Sequence, residues 1–199
     1  APWYNHVEEF IGVSGENVGL PQFPDGNYLK AMEMNCVEDV LKSSMSEKYD
    51  DRILTMGRTA HITEGLKPGL GRSNCQYRNR CMRGCPFGAY FSSNSSTLPT
   101  AEATGNMTLR ANSVVHEVIY DADTKRATGV RVIDAETKEV YEFNAKVIFL
   151  CASAIPTTSI LMQSKSERFP NGMGNDSGEL GHNIMDHHLG VGASGRFEG

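Results

Sequence analysis

Three of the chain's five cysteines fall within eleven positions, in "NCQYRNRCMRGCPFGAYFS", residues 74–92. A bacterial ferredoxin run, C-x2-C-x2-C-x3-C-P, laid over this stretch asks for cysteine at 75, 78, 81 and 85 and proline at 86. Cys75, Cys81, Cys85 and Pro86 match; Arg78 stands at the second position. Arginine stays protonated and offers no lone pair, so it cannot ligate iron. An iron–sulfur cluster on Cys75, Cys81 and Cys85 requires the three thiolates to converge. Zinc needs a fourth ligand, and the spacing to His61, the nearest histidine, fits no zinc pattern. A disulfide within the loop is a further alternative. The reading adopted is a structural loop with free thiols and no metal.

A second cluster, "GELGHNIMDHHLG" at 178–190, holds His182, Asp186, His187 and His188. Metal binding is again conceivable, but Ile184, Met185 and Leu189 read as core anchors, which favours a structural role. No G-x-S-x-G, H-E-x-x-H, P-loop or G-x-G-x-x-G after a strand occurs. Cys36 and Cys151 sit in apolar surroundings and read as buried thiols.

The elements that must position these groups follow from periodicity. Trp3, Val7, Phe10 and Ile11 mark one face of a first helix, stopped at Gly12. Residues 12–28 read as loop, and 32–48 as a second amphipathic helix with Val37, Val40, Leu41 and Met45 on one face. Residues 51–63 suggest a strand. Ser96 is placed to cap a short helix through Ala103, with Gly105 ending it. From 106 onward, β-branched segments separated by polar turns predict a meander of three or more strands, the last at 146–151 and covered on both faces. That strand runs into "ASAIPTTSILMQS", a strand–turn–helix junction. Small residues there allow an anion to approach the helix N-terminus, although tight strand–helix packing explains them as well.

Composition is that of a globular protein: 39% hydrophobic, 22% charged, net charge −5 over 199 residues. Nothing in it points to nucleic acid, and no apolar run reaches the ~20 residues of a membrane span. The four arginines around the cysteines, Arg72, Arg78, Arg80 and Arg83, form a local basic patch. The fold class expected is α+β: helices and loops, then an antiparallel meander and the strand–turn–helix junction.

Four segments in order resemble the glucose–methanol–choline (GMC) family of FAD-dependent oxidoreductases, closest to its bacterial sugar-dehydrogenase branch. They are "APWYNHVEEFIGVSG", "CMRGCPFGAYFSSNSSTLPTAEATGNMTLRANSVVHEVIYD", "AKVIFLCASAIPTTSILMQS" and "GELGHNIMDHH". The resemblance implies that Val115 meets the flavin's adenine through its backbone. It puts Cys151, Ala152 and Ser153 near the FAD diphosphate and ribose, and Asn183, Asp186 and His187 in an element near the flavin. Ser153 stands where glycine is commoner in the family, Thr158 and Lys165 replace the usual Pro/Ser and Gly, and Arg78 replaces a cysteine frequent in bacterial relatives.

The family's N-terminal dinucleotide fingerprint and its C-terminal catalytic His–His or His–Asn pair have no counterpart here. The chain therefore reads as an internal piece: 1–105 from the substrate cap, 106–165 from the FAD domain, 166–199 returning toward the substrate domain. The expected parent oxidises a CH–OH group of a sugar or alcohol, passing hydride to flavin and then electrons to an acceptor of unknown identity. The piece alone is expected to be inactive and to bind FAD weakly or not at all. The rivals are a small electron-transfer or metal-binding module on the cysteines, and a non-catalytic binding domain. The compartment, cytoplasm or bacterial periplasm, is left open.

Overall fold

The computed structural model describes residues 2–192 and 194–196. The elements run α1 (Pro2–Ile11), α2 (Cys36–Lys48), a 3-10 turn (Cys81–Arg83), α3 (Thr97–Glu102), β1 (Ser113–Asp121), β2 (Arg126–Asp134), β3 (Val140–Asn144) and α4 (Ala154–Gln163). This is a mixed α+β chain. It divides into two compact units, Ala1–Thr108 and Leu109–Gly199.

The first unit is mostly loop. Gly12, at φ 81, ends α1. The α2 helix begins at Cys36, four residues later than the periodicity suggests, because Asn35 caps it. The Asn35 side chain accepts from the Val37 and Glu38 amides, and the Glu38 carboxylate accepts from the Asn35 amide at 2.7 Å, a complete capping box. The predicted strand at 51–63 is absent. Among the described residues only single bridges form there, Thr59 to Ser14 and His61 to Tyr90, since no neighbouring segment among them runs alongside for long enough. Ile62 and Ala89 are fully buried, and the Ile62 amide donates to the Ala89 carbonyl at 3.0 Å.

Arg72 ties these loops together from the inside. It is 6% exposed and has no carboxylate partner among the described residues. Its Nε donates to the Gly88 carbonyl at 2.9 Å and Nη2 to the Ile11 carbonyl at 2.8 Å. Nη1 donates to the Pro68 carbonyl at 3.2 Å and to Ser96 Oγ at 3.1 Å. Ser96 therefore precedes α3 as expected but does not cap it; its hydroxyl donates to the Pro68 carbonyl. Gly69 is required here, because a Cβ would stand 2.1 Å from the Ser95 carbonyl oxygen.

In the second unit the meander forms one antiparallel sheet in the order β1-β2-β3. Both hairpins use the same turn chemistry. Asp121 Oδ1 accepts from the Asp123 and Thr124 amides, and Asp134 Oδ1 from the Glu136 and Thr137 amides. Each turn then closes on a lysine at positive φ, Lys125 (55°) and Lys138 (65°). Across the sheet Arg131 sits between Glu117 and Glu142, bonding the latter through Nη2 at 2.7 Å. Gly129 is buried where a Cβ would meet the Phe143 carbonyl at 2.5 Å. The α4 helix packs on β1: Ser164 Oγ accepts from the buried Val118 amide at 2.8 Å and donates to the Ile160 carbonyl at 2.7 Å. Val118, Val132 and Ile160 make the small core of this unit.

Three burial expectations fail. Residues 146–151 form no strand, and Val147 and Phe149 are 66% and 83% exposed, because among the described residues no strand lies beside them. Cys36 and Cys151 are exposed rather than buried: Cys36 opens a helix whose apolar residues Val37, Val40 and Leu41 face solvent, and Cys151 follows the uncovered run. Ile184, Met185 and Leu189 do not anchor a core but are 47%, 85% and 79% exposed, in a segment without helix or strand.

Candidate functional site

The strand-to-helix junction is built around one unusual residue. Ser153 has φ 70 and ψ 169, backbone space open almost only to glycine. This conformation turns the chain sharply from the 146–152 stretch into α4. Ser153 places no side-chain cap on the helix. Pro156 in the first turn has no N–H, so the free donors are the backbone amides of Ala154 and Ile155.

A cleft of about 580 Å³ opens beside this turn. Val114 and Val115 of β1 line one side, Phe149, Leu150, Cys151 and Ala152 another, and Pro156, Ser159 and Ile160 of α4 a third. Val115 and Cys151 are 36 positions apart in sequence, and the packing of α4 on β1 brings them together. Val115, Cys151 and Ala152 thus share one cleft, with Ser153 next in the chain. Asn183, Asp186 and His187 do not line it. Asn183 Nδ2 donates to Glu179 Oε2 at 2.7 Å, the Asp186 carboxylate accepts from the His187 backbone N–H at 2.7 Å, and all three residues are exposed.

The cleft can receive an extended, partly anionic ligand. Its walls are largely apolar, and the uncapped amides beside it favour negative charge. An adenine–diphosphate group fits this donor set: apolar strand and helix faces for a ring, free N–H groups for phosphate oxygens.

The cysteine loop, in the first unit, forms a separate cleft of about 240 Å³. Cys75, Cys81 and Cys85 all line it, with His61, Arg78 and Arg80. His61 Nε2 lies 3.3 Å from Cys81 Sγ. Burial lowers the His61 pKa and so favours the neutral ring. Burial would raise the Cys85 thiol, but the amides of Tyr90, Phe87, Ala89 and Gly88 outweigh it and hold the thiol below its ordinary value. All five cysteines are free, which leaves the loop without a disulfide. Among the described residues no three His, Cys, Asp or Glu side chains are grouped so as to hold a metal ion. The His61–Cys81 contact spans twenty residues and left no spacing signal in the sequence. The role of Arg72 as an internal tie was equally invisible, since an arginine among arginines reads as surface.

Residues 18–189 match the family described as GMC oxidoreductase, with a span well over half the chain. The chain belongs to the GMC oxidoreductase family. It is 33% identical over 201 residues to the fructose dehydrogenase large subunit of Gluconobacter japonicus, covering 97% of this chain and 34% of that protein. It is 29% identical over 202 residues to 2-methyl-1,2-propanediol dehydrogenase of Mycolicibacterium austroafricanum, covering 98% and 34%. It is 26% identical over 189 residues to paromamine 6'-oxidase of Streptomyces fradiae, covering 92% and 32%. This GMC chain therefore spans about a third of the length of the curated relatives it matches.

Proposed function

We propose that this chain is the middle part of an FAD-dependent dehydrogenase or oxidase acting on a CH–OH group of a sugar or alcohol. The observation that carries the proposal is the shared cleft of Val115, Cys151 and Ala152 at an uncapped helix N-terminus. Family membership supports the flavin, and the printed names of the relatives, dehydrogenases and an oxidase of hydroxylated compounds, support the substrate class. Bound FAD would supply a hydride acceptor for the carbinol carbon. The residues here would do binding work. The Ala154 and Ile155 amides take phosphate oxygens, the Val115 backbone faces the adenine, and Leu150 and Ile160 keep water from the ring. Asn183, Asp186 and His187 belong to a neighbouring flavin element in this reading. The exposed Val147, Phe149 and Ile155 are then surfaces that further parts of the flavoenzyme cover. Residues 1–105 would belong to the substrate cap, 106–165 to the FAD domain and 166–199 to the return.

The test is flavin content of the longer protein carrying Ala152→Glu, which sets a carboxylate against the phosphate oxygens. Retained flavin should fall by at least about tenfold, as expected for an unpaired like charge at an anion site. Full retention would refute the assignment of this wall. The isolated 199-residue chain should bind FAD weakly or not at all in a fluorescence titration, because it holds only one side of the pocket.

A second reading is favoured by Cys75, Cys81 and Cys85 lining one cleft. They would be thiolate ligands of an electron-transferring cluster. The present arrangement does not group them as an ion site, so this reading requires the loop to draw inward. Iron, acid-labile sulfide and zinc analysis of the purified protein decides it.

A further inference from the structure

The chain has no acidic residue between Glu64 and Glu102, while Lys67, Arg72, Arg78, Arg80 and Arg83 fall there, against a whole-chain charge of −5. Arg72 is consumed inside the fold. Arg78, Arg80 and Arg83 are exposed, and none forms an ion pair among the described residues. Elsewhere Arg52, Arg58, Arg110, Arg131 and Arg168 each have a carboxylate within 4.0 Å, while Arg126 and Arg196 are single exposed arginines without an ion pair among the described residues. Three unpaired like charges on one short loop repel one another and contribute nothing visible to the fold.

The loop is also shaped. Tyr77 (φ 52) and Asn79 (φ 49) hold left-handed backbone on either side of Arg78. The 3-10 turn Cys81–Arg83 follows and closes at Gly84 (φ 87). Met82 is 95% exposed and Tyr77 72%. Large apolar side chains in the open among unpaired arginines make the composition of an interface centre, where Arg, Tyr and Met are enriched.

We propose that residues 77–83 are a docking face for an acidic segment of a partner protein. Arg78, Arg80 and Arg83 would receive its carboxylates, and Tyr77 and Met82 would supply the apolar centre. Charge complementarity selects the partner. A nucleic-acid surface spreads many cations along a path, whereas here three cations share one loop on an acidic chain that repels a long polyanion. Nothing in this docking face depends on the flavin reading, so either can fail alone.

The probe is a short fluorescent glutamate-rich peptide, titrated against the full chain at low and physiological salt. Saturable binding that weakens with salt is expected. The triple variant Arg78→Ser, Arg80→Ser, Arg83→Ser should lose at least about tenfold in affinity, because rim charges act together. Each single variant should lose about two- to threefold, and these keep the test decisive if the triple variant misfolds. No binding, or unchanged binding in the variants, overturns the proposal. So does tighter binding, through the same arginines, of a DNA duplex or of vesicles containing phosphatidylglycerol.

Discussion

Replacing Arg72 tests whether a buried cation bonded to backbone carbonyls and one hydroxyl holds the first unit together. Its four hydrogen bonds reach the end of α1, the 68–72 loop, the loop at Gly88 and the residue before α3. A hydrogen bond from a charged donor contributes roughly 1.5–3 kcal/mol before the burial of the guanidinium is subtracted, and that burial costs several kcal/mol. The balance changes when the side chain is truncated. In Arg72→Met the carbonyls of Ile11 and Gly88 lose their donor in a site too enclosed for full hydration, and Pro68 keeps only the Ser96 hydroxyl. A loss of about 3 kcal/mol follows. With a urea dependence of about 2 kcal/mol per molar for a unit of this size, the unfolding midpoint should drop by about 1.5 M. Arg72→Lys keeps the charge but not the planar fork, and should recover less than half of that. The same loop carries the amides that depress the Cys85 thiol, so its alkylation near neutral pH should slow in Arg72→Met. A midpoint for Arg72→Met within about 0.3 M of wild type, or Lys equal to Arg, would refute the account, because ΔΔG would then be under about 1 kcal/mol.

Two further outcomes are expected. Ser153→Gly should stabilise the second unit by about 0.5–1 kcal/mol, because relief of a glycine-only conformation exceeds the entropy glycine adds to the unfolded chain; a lower melting temperature would contradict the strain. Asp134 should govern acid behaviour. The Thr137 and Glu136 amides, aided by the Arg110 guanidinium, lower its carboxyl from the ordinary range to about 2. A depressed folded pKa gives stability that is present above the ordinary carboxylate range and lost as pH falls through about 2. The wild type should therefore lose stability between about pH 4 and pH 2 more steeply than Asp134→Asn. Parallel melting curves across that range would remove Asp134 from the account.

Local chemistry made much of this chain legible. Gly12 after an apolar face, the helical spacing of Val37, Val40, Leu41 and Met45, and the polar turns between β-branched runs act over a few residues, so α1, α2 and the meander could be read directly, although the Asn35 cap that sets the start of α2 was not. The order of four family-like segments was equally readable, and the family match at residues 18–189 covers the last three of them. Burial was not. The runs at 146–151 and 184–189 are apolar enough for a core, yet a core needs a second surface, and none lies against them among the described residues. Two long-range contacts were decided only by tertiary structure: the meeting of Val115 with Cys151, and that of His61 with Cys81. Residue type announces what a side chain can do. Which groups share a cleft depends on how α4 seats on β1 and how Arg72 gathers the loops, and those are properties of packing at a distance.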